Sequence, residues 1–365
     1  DLGYLPADLW SARVPKDLVE RAPRVIDRGG GDDYWFCDGQ PWGDWRGGTW
    51  FERKKRQTVA LDRGGVGLPH MLRPTTPDLR ATDMDRDGVV ASVMFPPIFG
   101  MRVADKELAK TVIRTYNDWA AEFAKTNPKR FIPVAQLFPD DADASREEVY
   151  RIAKMGLTQV NFLVGTVSPQ MYMPEWDGFW AAAEETGTVV SYHVGGAGGW
   201  GRVPRPPAPE GKRQPAFDMG LGDGGGMFYG PFVALFTYGT LERHPNLRVV
   251  MAESGTGWIP FVVQEMDYRF HRFKEERETP GGFPLNTLPS DLFKRQVWAT
   301  YQQDLVGLHL VDFFGEGHMM WASDYPHPDS TWPFSQEIVA KETAHLSPEQ
   351  KHAILYGNAA KFYGL

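Results

Sequence analysis

LTQVNFLVGTVSPQMYMPEWDGFWAAAEETGTVVSYH, residues 157–193, decides the fold. Leu157–Val164 is a short apolar run with the length of a buried strand. Trp176–Thr186 carries a helical pattern, and Gly187 is placed to end it. Val189–His193 is apolar again and reads as the next strand. A strand, a helix and a strand at this spacing form the repeating unit of a parallel sheet with helices on its outer side.

The same alternation extends in both directions. Upstream, Val89–Pro96 reads as a strand, and Ala104–Thr126 as a helix with Leu108, Val112, Ile113, Tyr116, Trp119, Ala120 and Phe123 on one face. Phe131–Phe138 is strand-like and Ser145–Met155 helix-like. Downstream come a helix over Phe228–Arg243, a strand over Leu247–Glu253 and an amphipathic helix over Gly257–Phe273. Val297–Thr300 and Met319–Ser323 are two more strands, and Ser347-Pro-Glu-Gln350 is a capping box that opens the final helix. Seven strands alternating with helices predict an α/β protein, a single-domain (β/α)8 TIM barrel. The eighth strand is then the first, around Asp1–Leu5 or upstream of it. Residues 1–80 read as an irregular N-terminal elaboration and residues 195–226 as a Pro/Gly-rich insertion after strand five. An open doubly wound sheet is the other fold considered. The glycine runs Gly29-Gly-Gly31 and Gly222–Gly226 lack the strand-then-helix setting of a phosphate loop.

Composition narrows the function. The net charge is -8, which argues against nucleic acid as a partner. No apolar stretch approaches the ~18 residues of a membrane span. The single cysteine, Cys37, excludes an internal disulfide and fits a reducing, cytoplasmic setting. The opening Asp-Leu-Gly-Tyr-Leu has no initiator Met and no signal pattern, so Asp1 is expected not to be the natural start of translation. The 13 tryptophans read mainly as core packing.

Three strand ends carry groups that a buried strand does not carry without cause: His193, Glu253 and Asp324. Strand ends of a barrel converge on one pocket. Ionisable groups gathered there are costly unless they bind a metal or move protons. Imidazole and carboxylate suit zinc first, with manganese or iron as alternatives. Tyr192 and Asn161, also at strand ends, are candidate substrate contacts, as is His70 from the N-terminal elaboration. His244, before Pro245, reads as structural.

The run Trp321-Ala-Ser-Asp-Tyr-Pro-His-Pro-Asp-Ser-Thr-Trp-Pro333 resembles the strand-eight signature of the amidohydrolase-related family, the family of aminocarboxymuconate-semialdehyde decarboxylase and its relatives. Asp8-Leu-Trp10, Arg21-Ala-Pro-Arg-Val25, Asp83-Met-Asp-Arg-Asp-Gly-Val89, Tyr192-His-Val-Gly195, Glu253-Ser-Gly-Thr-Gly-Trp-Ile-Pro260 and the ending Gly357–Leu365 resemble it too. The resemblance implies that His193 is the strand-five metal ligand and that Asp324 binds the metal or its water. It implies that His327 lies beside the metal as a proton-shuttling residue. Glu253 stands where the family's decarboxylases carry a His. Leu2 and Leu5 stand where members carry the His and Glu of strand one. The resemblance also implies a homodimer.

The function expected from these residues is a metal-dependent hydrolase of a small ester, thioester, amide or lactone, with a carboxylate activating metal-bound water. A non-oxidative decarboxylase of an aromatic or unsaturated acid ranks second, because a carboxylate at position 253 repels a substrate carboxylate and displaces a protonating imidazole. A metal-free barrel acting as a cyclase, isomerase or binding protein is the third reading, motivated by Leu2 and Leu5.

Overall fold

The computed structural model describes residues 2, 5–27, 33–44, 76–97, 101, 103–163, 170–194, 225–278, 285–315, 317–327 and 330–365. His70 and most of the 195–226 insertion lie outside them. The chain divides into two compact units: residues 1–138, 154–159 and 323–341, and residues 139–153, 160–322 and 342–365.

Among the described residues of 1–80, the first unit holds a regular sheet where an irregular stretch was expected. Strands β1 (Arg24–Asp27), β2 (Asp33–Cys37) and β3 (Gln40–Asp44) form an antiparallel sheet in that order. Asp38 and Gly39 join β2 to β3, both with positive φ (47° and 76°). Asp-Gly is a favoured pair for a two-residue hairpin turn whose twist matches the strands. Helix α1 (Pro77–Arg86), strand β4 (Ser92–Met94), helix α2 (Lys106–Thr126) and strand β5 (Phe131–Pro133) follow. β4 and β5 are parallel neighbours. The predicted strand over 131–138 is split, with Ala135–Gln136 forming β6, because Pro133 offers no N–H to a ladder. α2 buries the predicted stripe from Leu108 to Phe123, and Asp105 caps it through the N–H groups of Glu107 and Leu108. Leu2 and Leu5 are buried, and the Leu2 N–H donates to the Phe95 carbonyl at 2.8 Å.

In the second unit the alternation follows the sequence closely. Its elements include α3 (Ala142–Lys154), β7 (Gln159–Leu163), α4 (Asp177–Thr186), β8 (Val189–His193), α5 (Gly225–Thr237) and β9 (Val249–Met251). α6 (Ile259–Arg272), α7 (Pro289–Gln296), β10 (Val297–Tyr301), the short α8 (Leu305–His309) and β11 (Met319–Trp321) follow. Five strands lie in the hydrogen-bonded order β11-β10-β9-β8-β7. The pairs β8–β9, β9–β10 and β10–β11 are parallel, with Val249 beside both Val190 and Val297. Gly187 ends α4 at φ 67°, as its position predicted. The Ser347–Gln350 capping box is formed on both sides. The helix predicted over 228–243 breaks at Gly239, whose left-handed φ of 73° starts a separate turn at Thr240. Among the described residues no helix is long and apolar enough to cross a membrane.

Strand alternation separates the two faces of β7. The Phe162 ring packs against Trp176 and Phe179 of the helical layer, each at 5.2 Å. Asn161 therefore faces the opposite side of the sheet.

Candidate active site

In the second unit, β8 ends at His193, whose side chain is fully buried. Its Nδ1 lies 2.8 Å from the Val194 carbonyl oxygen. A carbonyl only accepts, so Nδ1 carries the proton, and Nε2 of a neutral ring presents its lone pair. That Nε2 lies 3.3 Å from Oε1 of Glu253.

Glu253 reaches this position through an unusual backbone. The β8–β9 ladder continues one step past β9, where the Ala252 N–H donates to the Tyr192 carbonyl at 2.8 Å. Glu253 then turns sharply, at φ 56°. This left-handed conformation is uncommon for a residue with a long side chain. Its N–H donates to Thr300 Oγ1 on β10 at 2.9 Å. The structure thus brings together His193 and Glu253, two of the three strand-end residues.

Asp324 is also left-handed, at φ 57°. It lies in the first unit, in a loop closed on itself. The His327 N–H donates to the Asp324 carbonyl at 2.8 Å, and the Thr331 N–H to the Ser323 carbonyl at 3.1 Å. This loop is anchored to α1 and the residues after it. The Tyr325 hydroxyl bonds the Asp83 carboxylate. Trp332 Nε1 donates to the Asp83 carbonyl at 3.0 Å. Ser335 donates to Asp87 through its N–H at 3.0 Å and its hydroxyl at 2.5 Å. Burial raises the Asp87 carboxyl above its ordinary range, while its bonds from Ser335 pull the other way. The buried Arg80 guanidinium lies 4.8 Å from the Tyr325 ring centre. Two stretches that resemble the family separately, 83–89 and 321–333, are therefore parts of one packed feature.

The remaining candidates divide. Asn161 is fully buried, and among the described residues neither end of its amide has a hydrogen-bond partner. An unmet buried amide is costly unless a ligand or water completes it. Tyr192 alternates to the face opposite His193, and burial raises its phenol. His70 lies outside the described residues. His244 is structural, as read, with Nδ1 3.2 Å from Glu184.

One residue was missed. Asp304, just past β10, accepts from the Thr256 and Gly257 N–H groups at 2.6 and 2.7 Å. The signal was present: Tyr301-Gln-Gln-Asp304 is another strand end that carries a charge.

A family model described as "Amidohydrolase" matches residues 69–365. The chain belongs to the amidohydrolase family. Among curated proteins, this amidohydrolase is 26% identical over 301 residues to 2-amino-3-carboxymuconate-6-semialdehyde decarboxylase of Dictyostelium discoideum, covering 79% of this chain and 77% of that one. It is 24% identical over 318 residues to gamma-resorcylate decarboxylase of Rhodococcus jostii, covering 79% and 87%. Among solved structures, an amidohydrolase from Mycobacterium avium subsp. paratuberculosis matches with a TM-score of 0.73 and 18% identity over 99% of this chain and 96% of that one. The 5-carboxyvanillate decarboxylase of Novosphingobium aromaticivorans, solved with manganese and 4-hydroxy-3-methoxy-5-nitrobenzoic acid, matches with a TM-score of 0.63 and 21% identity over 78% and 79%. The structural likenesses show the fold, the α/β barrel read from the strand and helix alternation.

These relatives correct the hydrolase expectation, since both curated ones are decarboxylases. The repulsion argued against decarboxylation treated Glu253 as a bare carboxylate. One of its oxygens instead lies 3.3 Å from Nε2 of the buried His193 ring.

Proposed function

We propose that this amidohydrolase is a divalent-metal-dependent, non-oxidative decarboxylase of an aromatic or unsaturated carboxylic acid. One observation carries the reading. His193 Nε2 and a Glu253 carboxylate oxygen face each other across 3.3 Å at the ends of β8 and β9. Two acceptors at that distance attract only when a cation or a proton lies between them. Ligand atoms about 2.0–2.2 Å from one ion, at right or tetrahedral angles, lie roughly 2.8–3.6 Å apart. The donor set and its spacing therefore fit a metal, which His193 and Glu253 would hold. Asp324 is proposed as a further carboxylate ligand on its place in the family motif. Leu2 and Leu5 contribute no ligand, being apolar and buried. Manganese is favoured over zinc, because it is the metal in the solved decarboxylase of this fold.

When bound, a divalent ion supplies fixed positive charge for the substrate carboxylate and for the negative charge that develops as the carboxylate leaves. The bond between the substrate carbon and its carboxyl breaks, the electron pair stays on carbon, and carbon dioxide departs. That carbon then takes a proton, which His327 is proposed to deliver. Asn161 is proposed to orient the substrate through its unmet amide. Cys37 takes no part. Burial pushes its thiol up to about 12, which keeps it unreactive in the reducing, cytoplasmic setting proposed here. A homodimer and a single-domain organisation, with residues 1–80 and 195–226 as elaborations, belong to the same reading.

The test is carbon dioxide release from a panel of carboxyl-labelled aromatic acids, gamma-resorcylate and 5-carboxyvanillate among them. Release by the manganese-loaded protein that chelation abolishes supports the reading. No release from any acid, alongside hydrolysis of an ester or amide, overturns it.

A further inference from the structure

The turn after β9 is built around a carboxylate that comes from the next strand. Asp304 Oδ2 accepts from the Thr256 N–H at 2.6 Å, the Gly257 N–H at 2.7 Å and the Thr256 hydroxyl at 3.0 Å. Its Oδ1 accepts from the Gly307 N–H at 2.9 Å, capping α8. Thr256 and Gly257 lie in the turn just before Trp258, the N-cap of α6, so one carboxylate caps α8 and ties the turn that leads into α6.

The approach of the two loops depends on glycine. A Cβ on Gly257 would lie 3.0 Å from Val306 and 3.1 Å from Asp304 Oδ1. A Cβ on Gly307 would lie 2.0 Å from Thr256 Oγ1 and 2.7 Å from Asp304 Oδ2. The segment 253–257 is thus tied to β10 and its following loop at both ends. Thr300 holds the Glu253 N–H, and Asp304 holds Thr256 and Gly257. Between these ties lie the left-handed Glu253 and Gly255, at φ 56° and 64°. A turn with two left-handed residues has easier conformations available, so it persists only where its surroundings fix it.

We propose that Asp304 is the positioning residue for Glu253, holding the turn that sets the Glu253 carboxylate opposite His193 Nε2. Asp304 does not itself touch the metal or the substrate. The proposal rests on the reading of Glu253 as a metal ligand.

Asp304→Asn keeps the shape but has only one acceptor oxygen. Whichever way its amide lies, an NH2 group meets backbone N–H donors that the carboxylate accepted. The experiment measures manganese affinity by calorimetry on substrate-free protein. It compares the wild type, Asp304→Asn, Glu253→Ala and the double variant, with the thermal midpoint of each. Asp304→Asn is expected to weaken manganese binding about 10–100-fold when Glu253 is present, the range seen for residues that orient ligands. In the Glu253→Ala background it should change affinity by less than about twofold, while lowering the thermal midpoint equally in both. Equal losses of affinity in the two backgrounds, or none in either, would overturn the role of Asp304. A wild-type protein that binds no manganese would overturn the reading of Glu253 as well, so the two failures are distinguishable. If Asp304→Asn does not fold, Thr256→Val removes only the hydroxyl donor. Its smaller loss must likewise vanish without Glu253.

Discussion

Glu253 has its side chain in a backbone conformation that favours glycine, at φ 56°. For an L residue this conformation costs about 1–2 kcal/mol, because Cβ crowds the following carbonyl oxygen. Two substitutions separate that strain from the carboxylate. Glu253→Ala removes the carboxylate and keeps Cβ. Glu253→Gly removes both. In an ordinary helix or strand, glycine is less stable than alanine by roughly 0.5–1 kcal/mol, owing to the freedom of its unfolded chain. Setting that cost against the relieved strain leaves Glu253→Gly level with Glu253→Ala or more stable, by roughly 0–1.5 kcal/mol, against the usual order. The N–H bond to Thr300 is available to both variants and cancels in the comparison. Urea unfolding of the metal-free proteins, followed by circular dichroism, reads the difference from the two midpoints at a common slope. Both variants should also lose the proposed decarboxylase activity. A glycine variant less stable than the alanine variant by the ordinary margin of roughly 0.5–1 kcal/mol would show that position 253 is unstrained, and the account of how the turn is held would fail with it.

His193→Ala and Asp324→Asn should each reduce turnover at least about 100-fold while leaving the circular dichroism spectrum unchanged, since each removes a ligand or charge and no packed apolar surface. Wild-type rates in either variant would refute its assignment. Asn161→Leu replaces a buried amide with no partners among the described residues by an apolar group of similar size. The substrate-free protein should gain about 1–3 kcal/mol in stability while KM rises, because the amide is left unmet for a ligand to complete. Unchanged KM would make Asn161 a structural residue.

Much of this was legible in the sequence, for reasons that differ from element to element. The strands ending at His193 and Met251 were read from apolar runs that only a buried strand requires, and their limits fell within a few residues. The ends of α4 and the start of the last helices came from capping chemistry at Gly187 and Ser347. The N-terminal sheet was overlooked because tryptophans and glycines obscure the alternation in 33–44. The Asp38-Gly39 pair was the stronger signal there. His193 and Glu253 were paired from their places at strand ends, and they meet. Tyr192 came from the same criterion, but adjacent residues of a strand face opposite sides. Position alone also gave no sign of the left-handed turn at Glu253 or of the Asp304 carboxylate beneath it. Both depend on contacts between loops that are distant in sequence.

The most direct measurement is anomalous scattering at the manganese absorption edge from crystals grown with manganese. A peak within about 2.0–2.3 Å of both His193 Nε2 and a Glu253 carboxylate oxygen is predicted. A fully occupied peak elsewhere in the molecule, or none, with the Nε2 and carboxylate still facing each other, would mean that a proton joins the pair and that the metal centre has been misplaced.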